Sequence, residues 1–281
     1  MKICDLHTHS TFSDGTYTPE QIICAAVEIG LSAVALCDHN TVDGLPRFLK
    51  AAKGKDIEAV TGAEFSVDYN GKELHLLALF IPESRFSEIS DMMYDINMRK
   101  EESNRSLIRS LNRAGYDIDF DTIRNSTPNG KFNRANIGAV LTEKGYTKSI
   151  DEAFKTLLSP EAGHYKEPGR PSVWEMLSFV RSVGAIPVLA HPFLNLDEGE
   201  LFEFLPVAKE KGLVGMECLY SQYDEETTLK ALAMVDKFNL NYSGGSDFHG
   251  NNKPGIKLGS GKGNLKIPYD WAEQLSKKAT E

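Results

Sequence analysis

The chain has 281 residues, 41% of them hydrophobic and 25% charged, and its formal net charge is −9. These values are typical of a globular protein with one large domain, or with one domain and an insertion. No apolar run approaches the roughly 20 residues that span a bilayer, and the amino terminus lacks a basic stretch followed by an apolar segment. We therefore expect a cytoplasmic protein with no membrane partner.

Short apolar runs alternate with amphipathic segments along most of the chain. The first run, at residues 2–6, predicts a strand, and a helix over 19–29 follows it with Thr18 as its N-cap. The same alternation predicts buried strands over 32–37, 57–61, 74–80, 185–190, 213–218 and 240–243, and helices over 44–53, 172–183, 198–211 and 225–238. This order implies a parallel sheet, and about seven units favour a closed or nearly closed α/β barrel.

The alternation breaks between residues 99 and 165, where helical patterns follow one another. They predict a long helix through Arg113, a short piece near Asp119, and helices around 134–144 and 150–158. A turn-rich joint lies at 126–130. We interpret 99–165 as a helical insertion that caps a barrel formed by 1–98 and 166–281.

The charge of this insertion differs from that of the barrel. Residues 99–148 carry ten basic and six acidic side chains, a net charge of +4, whereas the remainder of the chain carries about −13. A basic cap over an acidic barrel mouth suits a phosphorylated ligand. The alternative is a solvated helical hairpin with ordinary surface charge.

The four cysteines form no C-x-x-C pair, and each lies in an apolar segment. They are Cys4, Cys24, Cys37 and Cys218. We expect buried free thiols rather than disulfides or metal ligands, and such thiols fit a reducing compartment.

Six of the seven histidines stand beside another metal-capable side chain or in a sequence context that resembles a metal site. His7 and His9 are two residues apart at the first strand, so their side chains share a face and can reach one ion. Most other candidates follow later strands, whose carboxyl ends build the active site in barrels of this class. His75 instead begins its apolar run, and it reaches the site only beside an antiparallel neighbour or in a distorted barrel. The other candidates are Asp38, His39, Glu64, His191, Asp247 and His249.

Short motifs with metal-capable residues recur along the predicted barrel. They are DLHTHS (5–10), SDGT (13–16), CDHNTVDG (37–44), GAEFS (62–66), the later His75, AHP (190–192) and GSDFH (245–249). In order and residue type these motifs resemble those of the PHP (polymerase and histidinol phosphatase) superfamily. The insertion stretches GKFNRAN and DEAF, at 130–136 and 151–154, look like the branch with nucleoside 3′,5′-bisphosphate phosphatases and 5′-to-3′ exonucleases of short RNA. The resemblance implies a distorted (β/α)7 barrel that holds up to three divalent metals.

The resemblance also implies a ligand set for each ion. Nitrogen and carboxylate donors without a thiolate suit Mn²⁺, Fe²⁺ or Zn²⁺ better than a closed structural zinc site, and Mg²⁺ fits them less well. Asp5 and Asp38 are expected to orient neighbouring imidazoles, although either could be a ligand. The implied ligands are His7, His9, Glu64 and Asp247 for the first ion, Glu64 as a bridge to a second with His75 and His191, and Asp14, His39 and His249 for the third.

The substrate contacts are expected in the insertion. The related branch usually shows Arg-Pro-His where this chain has Arg134-Ala135-Asn136. Arg134 is therefore expected to contact a phosphate, with Asn136 and Lys131 as further candidates. Because Asn136 replaces an imidazole, the exact substrate stays open.

These features predict a metal-dependent phosphoesterase with Glu64, His191 and Asp247 in catalytic roles. Two close metals lower the pKa of a shared water and so provide a hydroxide, and His191 or a metal-bound water could protonate the leaving oxygen. The resemblance implies a nucleoside 3′,5′-bisphosphate or a 5′-phosphorylated short oligonucleotide as the substrate, and the net charge of −9 argues against long nucleic acid.

Three alternatives stay open at this point. A histidinol-phosphate-type phosphomonoesterase would use the same chemistry on another substrate. A metal-dependent amidohydrolase usually carries a metal-bridging lysine, and none of the apolar runs ends in Lys. A non-catalytic accessory module that binds metal or nucleic acid would lack some ligands, yet every expected position is filled. The sequence leaves the oligomeric state open.

Overall fold

The computed structural model describes residues 2–126 and 134–279. Within these ranges eight strands form one sheet in the order β7-β6-β5-β4-β3-β2-β1-β8. The strands are β1 (Ile3–Thr8), β2 (Ala33–Leu36), β3 (Glu58–Tyr69), β4 (Lys72–Leu79), β5 (Ile186–Ala190), β6 (Gly215–Tyr220), β7 (Asn241–Gly245) and β8 (Ile267–Pro268). The α-helices are α1 (Pro19–Glu28), α2 (Leu45–Ala52), α3 (Phe86–Arg113), α4 (Phe120–Ser126), α5 (Arg134–Glu143), α6 (Ile150–Thr156), α7 (Val173–Ser182), α8 (Glu198–Glu210), α9 (Glu225–Phe238) and α10 (Tyr269–Lys277).

The sheet curls into a nearly closed barrel, which confirms the predicted fold class. The pairs β1–β2, β2–β3, β5–β6 and β6–β7 are parallel. The chain just after β7 returns to β1, where Thr8 bridges Phe248 in parallel and the amide of Asp247 donates to the His7 carbonyl at 2.8 Å. The two-residue β8 pairs antiparallel with the outer edge of β1. The barrel is distorted because β4 runs against both of its neighbours.

The sequence did not predict α10, and α3 begins at Phe86 and not near residue 99. Local sequence signals set the bounds of the other barrel helices, α1, α2, α7, α8 and α9, within one or two residues of those expected. The first helix shows why. Thr18 and Gln21 form a reciprocal capping box at its start, and Pro19 occupies the first turn, where its missing N–H costs nothing. Ile22 and Ala26 lie on the buried face one turn apart. The predicted N-cap is thereby confirmed.

The strand predicted at 57–61 was placed too short, because β3 continues to Tyr69. Beyond Gly62 it leaves β2 and pairs antiparallel with β4. Buried Phe65 and Val67 alternate with more polar neighbours, a period-two pattern that marks a strand with one buried face. The sequence had suggested that Glu64 follows this strand, but Glu64 lies inside β3.

The antiparallel β4 brings His75 to the same end of the barrel as the other candidates. A tight turn at Asn70 and Gly71, both with positive φ, connects β3 to β4. His75 then lies opposite Ser66 on one side and Ala190, the last residue of β5, on the other. The start of β4 thus coincides with the carboxyl ends of the parallel strands, and the expectation of an antiparallel neighbour is confirmed.

The region 99–165 has a hydrophobic core of its own. Leu107 and Leu111 of α3 pack there with residues of the following helices, such as Ile123 and Leu141. The first half of α3 instead packs on the barrel through residues such as Ile89. One continuous helix therefore crosses the expected boundary at residue 99 and joins the two cores.

The cysteines are all free, but only three of them are buried. Burial raises the pKa of the Cys4, Cys37 and Cys218 thiols. Cys24 is exposed, which corrects the expectation of four buried thiols, because it faces away from the buried side of α1. Among the described helices, none combines the length and the apolar character needed to cross a membrane.

Candidate metal centre

His7 and His9 meet at the carboxyl end of β1. Both rings are fully buried, and their Nε2 atoms lie 3.0 Å apart. Glu64 places Oε2 at 3.3 Å from each of these nitrogens. Asp247 places Oδ1 at 3.3 Å from His9 Nε2 and at 3.8 Å from His7 Nε2. The four side chains expected to hold a first ion thus converge on one point.

Glu64 stands between this group and a second one. Its Oε1 atom lies 2.8 Å from His75 Nδ1 and 3.0 Å from His191 Nε2. Its Oε2 atom also lies 3.1 Å from His39 Nδ1. The two oxygens therefore face different sets of imidazoles, which is the geometry that a bridging carboxylate requires.

A third group forms around Asp14. Its Oδ1 lies 3.2 Å from His249 Nε2 and 3.8 Å from His39 Nε2 and His9 Nδ1. The loop can approach so closely because residue 15 is glycine: a Cβ there would lie 2.2 Å from the His9 carbonyl oxygen. The Asp14-Gly15 pair is thus part of the cluster. All nine implied ligands lie together.

The donor atoms suit divalent cations. His39 Nδ1 and His75 Nδ1 are buried and, among the described residues, do not meet hydrogen-bond geometry despite their short distances to Glu64. Buried polar atoms rarely lack partners, so converging lone pairs of this kind indicate a place for a cation. Nitrogen and oxygen donors without sulfur match Mn²⁺, Fe²⁺ or Zn²⁺. The residues present therefore fit the expected metals.

The backbone is strained at two of the implied ligands. His191 has φ 28° and Asp247 has φ 56°, values that residues other than glycine seldom adopt. The amide of Asp247 is held by the His7 carbonyl, and the amide of His191 donates to Glu217 Oε2 at 2.8 Å. Strain held in place by such contacts clusters at functional sites.

The carboxyl groups of the centre are ionised in the folded chain. Burial opposes ionisation of Glu64, but His75, His7 and His39 outweigh it and hold its pKa well below the usual range. Conversely, burial disfavours the charged forms of two imidazoles, but neighbouring carboxylates outweigh it. They raise the pKa of His9 to about 9 and that of His75 to about 10. Protons therefore occupy the centre at neutral pH when no metal competes.

Contrary to expectation, Asp5 and Asp38 hydrogen-bond to loop residues and not directly to imidazoles. Asp38 reaches a ring only through the Ser13 hydroxyl, which donates to Asp38 at 2.6 Å and lies 3.5 Å from His9 Nδ1. Asp5 accepts hydrogen bonds from the amide and hydroxyl of Ser246 at 2.8 and 2.6 Å, and from the amide of Gly259. Asp38 accepts from the amide and hydroxyl of Ser10 at 2.7 and 2.6 Å. Each buried carboxylate thus fixes the loop residue next to a ligand, since Ser10 follows His9 and Ser246 precedes Asp247.

Sequence reasoning missed Glu217, which does orient an imidazole. It is fully buried on β6, and its Oε1 lies 3.0 Å from His7 Nδ1. The available signal was a lone acidic residue within the apolar run 213–218, because an unpaired carboxylate is costly to bury. Lys253 and Tyr220 were also missed. They hold Asp247 Oδ2 at 2.7 and 2.8 Å and leave Oδ1 turned toward the imidazoles.

A cavity of about 260 Å³ opens beside the centre, between the barrel mouth and helices α3, α5 and α6. Asp14, His39 and His75 line one side of it. Cationic side chains enter from the insertion and from the segment that follows it. These are Lys100, Arg134 and Arg170.

The three cations are held in different ways. Arg134 donates to the Leu158 carbonyl at 3.2 Å, and its guanidinium lies 4.1 Å from the centre of the Tyr165 ring. Arg170 pairs with Glu73 at 2.8 Å and with a second glutamate. Burial lowers the pKa of Lys100, although the carboxylates of Asp14 and Glu73 oppose that shift.

Among the described residues, the cavity contains one of the three side chains expected to contact the substrate. Arg134 lies in the cavity, whereas Asn136 is not among the described residues that line it. Lys131 falls outside the described residues. Lys100 and Arg170 were missed, because a lysine on a charged helix and an arginine in a polar loop resemble ordinary surface residues in the sequence.

Comparison with known proteins agrees with this site. The PHP domain family matches residues 5–159, more than half of the chain, and the chain belongs to this family. It is 27% identical over 246 residues to a 5′-3′ exoribonuclease of Haemophilus influenzae, covering 87% of this chain and 89% of that protein. It is 28% identical over 262 residues to a 3′,5′-nucleoside bisphosphate phosphatase of Chromobacterium violaceum, covering 92% of this chain and 91% of that protein.

A crystal structure shows the same fold. It is that of a Bifidobacterium adolescentis protein assigned as a metal-dependent phosphoesterase, with a TM-score of 0.85 and 24% identity over 99% of this chain and 96% of that one. Family membership and the clustered donors together define a metal-dependent phosphoesterase, which is a hydrolase. His191, Asp247 and His249 lie beyond the matched range 5–159, and the fold brings them to the centre.

Proposed function

We propose that this chain hydrolyses a phosphate ester of a small substrate that carries a second phosphate. The substrate class is a nucleoside 3′,5′-bisphosphate or the 5′ end of a short oligonucleotide. The observation that carries this proposal is the cavity with imidazoles and Asp14 on one wall and Lys100, Arg134 and Arg170 around the rest. A phosphate at the centre leaves these cations for a second anionic group.

Arg134 is the best-placed partner for that second phosphate. Its contacts with the Leu158 carbonyl and the Tyr165 ring fix the guanidinium before any ligand binds. A guanidinium held in this way binds phosphate through two parallel hydrogen bonds with little loss of side-chain entropy. Arg170 contributes less net charge, since Glu73 and Glu167 already neutralise it.

The size of the cavity supports a small ligand. The cavity that the described residues form has a volume of about 260 Å³, just below the usual range of roughly 300–1,000 Å³ for ligand sites, so it suits a small ligand or one end of a short chain. The net charge of −9 also disfavours long nucleic acid. The names of the two relatives, a bisphosphate phosphatase and an exoribonuclease, support the same substrate class.

The roles of the residues follow from their positions. Divalent ions bound at the centre would supply Lewis acidity, which acidifies water and neutralises charge on phosphate oxygens. Glu64 and Asp247 provide the negative charge that holds such ions, and Asp247 keeps one oxygen free for them because Tyr220 and Lys253 occupy the other. His191 faces Glu64 and does not line the described cavity, so we assign it to metal binding and not to proton transfer.

Lys100 completes the cationic wall of the site. It lies on α3, in the cavity that also holds Asp14 of the third ligand group. An ammonium there donates hydrogen bonds to phosphate oxygens and offsets their charge. Lys100 and Arg134 together thus form the contact surface for a dianionic ligand.

A substrate panel tests the proposal. Metal-depleted protein is reconstituted with Mn²⁺, and phosphate release is measured from a nucleoside 3′,5′-bisphosphate, the matching 5′- and 3′-monophosphates, a 5′-phosphorylated dinucleotide and histidinol phosphate. We expect the bisphosphate or the dinucleotide to give the highest kcat/KM. A preference for histidinol phosphate would overturn the substrate assignment while leaving the phosphoesterase class intact.

A further inference from the structure

Glu217 connects two ligand candidates through a single carboxylate. Its Oε1 lies 3.0 Å from His7 Nδ1, and its Oε2 accepts the backbone N–H of His191 at 2.8 Å. The side chain is fully buried on β6, which lies beside β5 in parallel register. The register of β6 against β7 shifts just after Glu217, and such a bulge re-aims side chains next to active sites.

We propose that Glu217 is a positioning residue that organises the metal centre from behind. A neutral imidazole carries one N–H, and a carboxylate beside Nδ1 keeps the proton on that nitrogen. The lone pair of His7 Nε2 then faces the centre, toward His9 Nε2 and Glu64 Oε2. The carboxylate also increases the basicity of the ring as a ligand.

The second oxygen holds the strained turn at His191. This residue has φ 28°, and in that conformation its ring nitrogen Nε2 lies 3.0 Å from Glu64 Oε1. A backbone strained in this way persists when surrounding contacts fix it. The hydrogen bond from the His191 amide to Glu217 is such a contact, so one carboxylate sets both the tautomer of His7 and the position of His191.

The geometry distinguishes this role from direct metal binding. The side chains of His7, His191 and Glu217 are near enough to form a ligand group by distance alone. However, both oxygens of Glu217 are already engaged, one by a ring nitrogen and the other by a main-chain amide. To become a ligand, the carboxylate would have to leave the contacts that orient the other two residues.

The test is Glu217→Gln in the full chain. The amide keeps the size of the side chain but can accept from only one of the two donors. We expect Mn²⁺ affinity, measured by chelator competition, to fall about 10- to 100-fold, with the same number of ions bound at saturation. Excess Mn²⁺ should restore kcat, and the downfield Nδ1–H signal of His7 in the Zn²⁺-loaded protein labelled with ¹⁵N-histidine should move upfield.

The matched control is Glu58→Gln, which makes the same chemical change at the far end of β3, where Glu58 accepts a hydrogen bond from Tyr269. Its Mn²⁺ affinity should equal that of the unmodified chain. If Glu217→Gln does not fold, Glu217→Asp replaces it, with weaker Mn²⁺ binding and unchanged stoichiometry expected. Unchanged affinity in the variant tested overturns the proposal, and so does the loss of a whole metal equivalent at saturation, which would make Glu217 a ligand.

Discussion

The Nε2 atoms of His7 and His9 lie 3.0 Å apart, and Glu64 Oε2 lies 3.3 Å from each. Two neutral imidazoles with facing lone pairs repel at this distance. A proton or a cation must therefore lie between the rings, and the two compete for the same place. This competition makes metal binding depend on pH.

The first prediction concerns that dependence. In the metal-free chain, neighbouring carboxylates raise the pKa of His9 to about 9 and that of His75 to about 10, above the ordinary value near 6.5. Below those values a metal must displace protons, so affinity should rise with pH until about pH 9–10, by up to about tenfold per unit for each proton released. Calorimetric titration with Mn²⁺ at about pH 6.5, 7.5 and 8.5, in two buffers of different ionisation enthalpy, measures the affinity and the number of protons released. Affinity that stays constant across this range contradicts the prediction.

Glu64→Gln should separate metal binding from folding. The neutral amide lacks the negative charge with which Glu64 would hold cations between the two groups of imidazoles. Bound metal should therefore fall, and turnover should drop by several orders of magnitude. Circular dichroism should stay unchanged, because the side chain keeps its size. Elemental analysis and phosphate release check this, with Glu58→Gln as the control. A Gln variant with full activity would remove the bridging role.

Lys100→Met should change stability and activity in opposite directions. Burial lowers the pKa of Lys100 below its unfolded value of 10.5, so the ammonium opposes folding at neutral pH. This cost diminishes as pH rises through the lowered pKa, and it is gone above 10.5. The variant should therefore melt at the same temperature or higher at about pH 7, while kcat/KM for the bisphosphate falls about tenfold. The exposed Lys50→Met is the control. A lower Tm with unchanged kinetics would show that Lys100 has only a structural role.

The cysteines give a test of the packing. Burial raises the pKa of the Cys4, Cys37 and Cys218 thiols, so their reactive thiolates are scarce and inaccessible. Ellman's reagent should therefore label one thiol rapidly in the native chain and all four after unfolding. Cys24→Ser should abolish the rapid phase. More than one fast thiol would show that the barrel opens more readily than its packing implies.

The sequence predicted which side chains cluster at the barrel mouth, because their motifs carry positional information. His7 and His9 share a strand face, and pairs such as Asp247 and His249 follow strands whose carboxyl ends converge. It did not predict the length of β3, since the pattern after Thr61 mixes polar and apolar residues. Nor did it find Glu217, because one acidic residue in an apolar run does not reveal its partners before the fold is known.

The cavity was harder still to predict. Lys100 belongs to a helix with many charges, and its helical pattern is the same whether the helix faces solvent or a ligand. Only the packing of α3 against both the barrel and the insertion core turns this residue inward. Arg134 was found through the resemblance to a family, and not through its spacing.

We propose that Arg134 binds a second phosphate while the metal centre acts on the first. The direct measurement is the ratio of kcat/KM for a nucleoside 3′,5′-bisphosphate to that for its monophosphate, in the unmodified chain and in Arg134→Ala. Charge-assisted contacts of this kind are worth roughly 1.5–3 kcal/mol, so the ratio should exceed one by about ten- to a hundred-fold and fall toward one in the variant. Hydrolysis of a simple aryl phosphate should stay nearly constant. Equal rates on both nucleotides in the unmodified chain, or an Arg134→Ala variant that loses all activities in step, would contradict the account.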